Sequence, residues 1–243
     1  MWVYGAAIGA QLLMPALHHG LDHGCTLLSR VLTAAQYCRA VPPPPPQVVV
    51  FDLGGVLAEF GGVERMRLLA GLDDDEELWR RWLTCEWVRR FERGMCTPED
   101  FAAGVVADWG LTLTGDAFLT EFREWLVGPL PGAETLVSET RAAGLPVAVL
   151  SNTNKVHWEA GASRWPLVSM FDRAFLSFEV GMVKPDREIF ERVVADLEVE
   201  PEQVLFLDDN RINVDAAQAA GLQAQRVVGV SEARQALVAA GLL

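Results

Sequence analysis

The chain has 243 residues, with 33 acidic against 20 basic side chains and a net charge of −13 with His neutral. That length can bury one sizeable core and carry an insertion, while the acid excess argues against a nucleic-acid partner, because holding a phosphate backbone needs clustered Lys and Arg. The four cysteines, Cys25, Cys38, Cys85 and Cys96, make no Cys-x-x-Cys pair, which points to reduced thiols and a cytoplasmic setting.

Residues 1–41 are rich in Ala and Leu, hold one acid, Asp22, and run into Pro42 to Pro46, a stiff polyproline II spacer. They lack a basic amino-terminal stretch, and Gln11, Pro15, His18 and His19 interrupt the apolar run, so the segment reads as neither a signal peptide nor a membrane span. We expect an extension outside the fold, with an organellar targeting peptide as the alternative. His18, His19, His23 and Cys25 match no zinc spacing and read as part of a leader helix.

Val48, Val49, Val50 and Phe51 are consecutive apolar residues that end on Asp52, followed by Leu53, Gly54 and Gly55. Such a run predicts a strand buried on both faces, which puts Asp52 at the carboxyl end where open α/β sheets hold ligands. A carboxylate there is a candidate nucleophile, and the glycines let backbone approach a small anion or metal closely. The next stretch breaks into helices. Glu76 to Arg93 carries Leu78, Trp79, Trp82, Leu83, Trp87 and Val88 on a broad apolar helical face. Thr97, Pro98, Glu99 and Asp100 then read as a helix start. Trp82, Trp87 and Trp109 are candidates for a sugar-binding roof, although tryptophans at helical spacing more often pack. Gly128 to Gly132 marks the return to the core.

Beyond it helices and strands alternate, as a parallel sheet requires. A helix over Ala133 to Ala143, stopped by Gly144, feeds the strand Val147 to Leu150, which ends in Ser151, Asn152, Thr153 and Asn154. Gly181, Met182, Val183, Lys184 and Pro185 form a turn before a helix over Asp186 to Leu197. The apolar strand Val204 to Leu207 ends on Asp208 and Asp209, a helix follows over Asn213 to Ala220, and Gln225 to Val230 gives a last strand before the final helix.

Asp52, Ser151, Lys184 and the pair Asp208 and Asp209 thus supply a nucleophile, a hydroxyl, a fixed cation and paired carboxylates in one order along the chain. In this arrangement, from about Gln47 to the carboxyl terminus, the sequence resembles the haloacid dehalogenase-like superfamily, and most closely its sugar-phosphate phosphatase branch with a small helical cap. The resemblance implies an α/β fold with a Rossmann-like parallel sheet and an inserted α-helical cap. It divides the chain into a leader and linker over 1–46, core over 47–60, cap over 61–128 and core again over 129–243. It also implies hydrolysis of small phosphorylated metabolites, such as a sugar phosphate or sugar 1-phosphate, through an aspartyl-phosphate on Asp52. Mg²⁺ would be held by Asp52, the Gly54 carbonyl and Asp209, with Asp208 supporting from behind. Ser151, Asn152 and Gly55 would meet the phosphate, and Lys184 would steady the nucleophile and the developing charge.

One position departs from the family pattern. Two residues after the nucleophile most of these phosphatases carry a second Asp, which protonates the leaving oxygen and later activates water; here it is Gly54. General acid–base help is worth about a hundred- to ten-thousand-fold in rate. Three alternatives follow: the substrate has a good leaving group, the cap lends an acid, or the site is a silent phosphate-binding module. A haloacid dehalogenase, which uses an aspartate nucleophile without a metal, fits less well, because Asp208 and Asp209 form a metal site.

Overall fold

A computed structural model describes residues 43–243, and every count below refers to them. The readings on His18, His19, His23, Cys25 and Cys38 lie outside the described residues.

The strands are β1 (Val48–Phe51), β2 (Ala58–Phe60), β3 (Leu126–Pro129), β4 (Val147–Ser151), β5 (Arg173–Leu176), β6 (Val204–Asp208) and β7 (Gln223–Arg226). Five of them form a parallel sheet in the order β5-β4-β1-β6-β7. The three apolar runs of the sequence are its centre, and every residue of β1, β4 and β6 is buried. Alternate side chains serve opposite faces. Val49 and Phe51 join a cluster with Leu136, Val137, Ala233 and Leu237. Val48 and Val50 join another with Ile189, Phe190, Val193 and Ala217. Helices therefore cover both faces, which is why these strands show no polar alternation. The α/β class and the Rossmann-like core agree with the expectation.

Phe51 pairs with Val149 and with Leu207 in the sheet register, so Asp52, Ser151 and Asp208 reach the same carboxyl edge. β2 and β3 make a separate antiparallel pair at the base of an inserted helical segment. Its helices are α1 (Gly62–Ala70), α2 (Asp75–Thr84), α3 (Glu86–Glu92), α4 (Pro98–Trp109) and α5 (Gly115–Phe122). They share a hydrophobic cluster that includes Met66, Trp82, Phe101, Phe118, Phe122 and Trp125. The Thr97 start is present as read: its side chain accepts from the Asp100 N–H at 3.1 Å and Pro98 opens α4. No helix among the described residues is long and apolar enough to cross a membrane.

Two local readings differ from the structure. The apolar face over Glu76 to Arg93 is divided between two helices, because Cys85 is extended and separates α2 from α3. The last strand is the polar Gln223–Arg226, and Gly229 already belongs to the final helix, so the expected strand over Gln225 to Val230 is shifted. Its side chains lie at a sheet edge that is only half covered, where an apolar run is not needed.

Candidate active site

Lys184 is the hub of the sheet's carboxyl edge. Its ammonium is 2.8 Å from Asp52 Oδ1 and 2.6 Å from Asp208 Oδ2, and it donates to the Leu150 carbonyl at 3.1 Å. The side chain is 1% exposed and that of Asp208 0%. Burial works against the Lys184 charge, but Asp208 and Asp52 outweigh it and hold the ammonium above its usual pKa. Three donors in three directions are used, so the side chain is a fixed cation. The turn that carries it is tied to the next motif: Asn152 Nδ2 donates to the Lys184 carbonyl at 2.9 Å, and the Lys184 N–H donates to Asn152 Oδ1 at 2.8 Å. Thr153 is fixed in turn by Ser177, whose hydroxyl accepts from its N–H and donates to its carbonyl.

Asp52, Asp208 and Asp209 each present a carboxylate oxygen within 4.8 Å of the others. Asp208 is already satisfied. It accepts from Lys184, from the Asn210 N–H at 2.8 Å and from the Asn213 amide at 3.1 Å. Asp52 and Asp209 are not. Burial, reinforced by Asp208, raises both pKa values, with Lys184 pulling each back. Crowded acids of this kind fit a cation, which would reverse both shifts. Asn213 Oδ1 is a buried acceptor without a partner beside the same acids, which adds a second sign that a positive group or its water belongs there. An all-oxygen donor set suits a hard ion such as Mg²⁺.

Gly55 shows why the loop after Asp52 is glycine-rich. Its φ is +75°, and an ideal Cβ would sit 2.2 Å from Asp209 Oδ2. Its own N–H is used by the Ala58 carbonyl at 2.8 Å, so what it offers the site is close approach of backbone to Asp209. Gly55→Ala is expected to lower stability by about 1–2 kcal/mol from the backbone alone and to displace Asp209, read by thermal melting and by the Mg²⁺ midpoint of activity. Gly54 differs. Its φ is not in the left-handed region, and the nearest atom to an ideal Cβ is Phe60 Cβ at 3.8 Å, so the missing acid is not a steric necessity.

A cavity of about 130 Å³ opens on these groups. Asp52, Gly54, Gly55, Ser151, Asn152, Lys184 and Asp209 line it, so the sequence-predicted residues meet in one place, with Asp208 buried beneath. The insertion supplies Val63, Trp79, Trp82, Leu83 and Phe122 to the same lining, together with Phe60 and Leu126 from its base. Of the three tryptophans considered for a roof, only Trp82 lines the cavity. Trp87 closes over Gly104, where a Cβ would fall 2.1 Å from its ring, and Trp109 packs edge-on against Trp82.

Sequence reasoning missed two titratable residues in this wall. His157 stacks on Phe122, its Nε2 lies 2.6 Å from the Phe122 carbonyl and its Nδ1 3.2 Å from Asn154 Nδ2. Burial pushes its imidazole down to about 4 despite the Phe122 bond, so it is a neutral strut between insertion and core. Glu92 ends α3 and is also buried. It sits in the charged string Arg89, Arg90, Phe91, Glu92, Arg93, which reads as a solvated face, and nothing local marks it as inward.

Comparison with known proteins gives a consistent set of relatives. A profile of haloacid dehalogenase-like hydrolases matches residues 46–221. A sesquiterpene phosphatase of Aspergillus oryzae is 28% identical over 72% of this chain and 87% of its own. D-ribitol-5-phosphate phosphatase of Bacteroides thetaiotaomicron is 26% identical over 78% and 95%. A (S)-2-haloacid dehalogenase of Pseudomonas is 24% identical over 76% and 77%. Among solved structures, a magnesium complex of a HAD-family enzyme from Bacteroides thetaiotaomicron superposes with a TM-score of 0.57 at 26% identity, over 76% of this chain and 94% of the other.

Proposed function

The chain belongs to the haloacid dehalogenase-like hydrolase family, and from that premise we propose that it is a Mg²⁺-dependent phosphatase of small metabolites working through Asp52. One observation carries the reading: a buried lysine clamps Asp52 beside two further carboxylates at the mouth of a cavity. Asp52 would attack phosphorus in line and form an aspartyl-phosphate, which divides hydrolysis into two easier steps. Asp52, Asp209 and the Gly54 carbonyl would hold the metal, which neutralises charge on the transferring group. Ser151 and the backbone at Asn152 would orient the phosphate oxygens, since the Asn152 side chain is engaged with Lys184. Lys184 favours the charged form of Asp52 against burial and aims its carboxylate. The three carboxylates together suit a cation, which supports metal-assisted phosphoryl transfer over a dehalogenation that needs no metal.

At about 30 Å³ per water the cavity has room for roughly four, which suits a phosphoryl group and the first atoms of its leaving group. Residues 61–128 would act as the cap over it. A polyol or sugar phosphate, as in the ribitol-phosphate relative, is one candidate. The apolar wall of Trp79, Trp82, Leu83 and Phe122 supports a second, the phosphate of a short apolar alcohol, in line with the terpenoid relative. Assays of polyol, sugar and prenyl phosphates with and without Mg²⁺ discriminate these, and no Mg²⁺-dependent release of phosphate from any of them would end the proposal. Asp209→Ala is expected to raise the Mg²⁺ midpoint of activity more than Asp208→Ala, because only Asp209 has oxygens to spare for a metal; equal midpoints would refute the assignment.

A further inference from the structure

Glu92 is the only acid that the inserted helices contribute to the cavity lining among the described residues. Its Oε1 accepts from Trp82 Nε1 at 3.3 Å, and the Asn152 amide lies beside it. The segment carrying it is fastened to the core. Arg89 and Arg93 both bind Asp186, two residues after Lys184, and Gly94 packs so tightly that a Cβ would fall 2.7 Å from the Phe178 carbonyl. Glu92 is therefore held in place at the boundary between the phosphate-binding edge and the apolar wall.

We propose that Glu92 is the proton donor to the leaving oxygen, taking the role that Gly54 leaves empty. The proposal rests on the phosphatase reading above. In-line attack by Asp52 puts the leaving oxygen on the far side of phosphorus, toward the inserted helices. Among the described residues, the other titratable side chains lining the cavity are Asp52 and Asp209 on the attacking side, His157 and Lys184. Both ring nitrogens of His157 are engaged, and Lys184 is bound by two carboxylates. Burial, opposed by the Trp82 bond and by Lys184, Arg89 and Asn152, pushes Glu92 up to about 7, the range in which an acid serves well at neutral pH.

In the first step Asp52 Oδ bonds to phosphorus, the bond to the leaving oxygen breaks with its electron pair on that oxygen, and the Glu92 carboxyl proton moves to it, releasing an alcohol. In the second, water attacks the aspartyl-phosphate while the Glu92 carboxylate takes a water proton. Inorganic phosphate leaves, and Asp52 and Glu92 return to their starting states.

Glu92→Gln keeps an acceptor for Trp82 and the side-chain shape but has no acidic proton. Because ionisation of a buried Glu92 weakens the fold as pH rises from about 4.5 toward 7, the Gln variant is expected to melt no lower than wild type above neutrality. Rapid-mixing kinetics with p-nitrophenyl phosphate and with an alkyl phosphate separate the two steps. For the variant we expect a stoichiometric burst of nitrophenolate at near wild-type rate followed by slow turnover. With the alkyl phosphate the first step itself should fall about a hundred- to ten-thousand-fold, and adding Gly54→Asp should recover part of it. Wild type should depend only weakly on leaving-group pKa and the variant steeply. Unchanged kinetics in Glu92→Gln, or an equal loss on both substrates with no burst, overturns the assignment while leaving the phosphatase reading intact. A wild type inactive on every substrate refutes both.

Discussion

Asp52→Asn is expected to remove Mg²⁺-dependent turnover, by about ten-thousand-fold or more, while leaving the fold in place. An amide cannot form the acyl-phosphate. The substitution is nearly isosteric, its oxygen still accepts from the Lys184 ammonium, and it takes one negative charge out of a crowded set with Asp208 and Asp209. Thermal stability should therefore hold or rise in metal-free buffer, since a repulsive carboxylate is gone. Phosphate release and melting temperature, measured on the same preparation, check both halves. Retained turnover would place the nucleophile elsewhere. A protein that melts far below wild type would show that Asp52 is needed for folding.

The parts of this site legible in the sequence are those set by burial on both sides of a sheet. Val48–Phe51, Val147–Leu150 and Val204–Leu207 read as apolar runs because helices cover both faces, and the polar residue ending each run is pushed by the register to one edge. The order β5-β4-β1-β6-β7 is not readable from periodicity, because each buried strand gives the same apolar signal. β5 and β7 escaped or shifted because edge strands of sequence Arg-Ala-Phe-Leu and Gln-Ala-Gln-Arg carry no such signal. The break at Cys85 was invisible because the apolar spacing continues from α2 into α3. Glu92 was hidden for a related reason: its burial comes from docking of the insertion on the core through Arg89, Arg93 and Asp186, partners nearly a hundred residues apart.

Lys184→Ala is the second large effect, and it separates stability from catalysis. Its ammonium neutralises two carboxylates within 2.8 Å, one of them entirely buried, so removing it strands buried negative charge and should cost about 3–5 kcal/mol of stability. Turnover should fall by about a thousandfold or more, because Asp52 loses its aim and the developing charge loses a fixed cation. A loss of both kinds leaves open whether the activity fell only because the site collapsed. Pairing Lys184→Met with Asp208→Asn answers this, since the double variant has no unpaired charge at Asp208 and the two losses need not add. Stability is expected to recover substantially while activity does not. Chemical denaturation and turnover on the single and double variants give the test. Recovery of both together would mean that Lys184 only holds the sheet edge together, and that the charge on the transferring phosphate is balanced elsewhere.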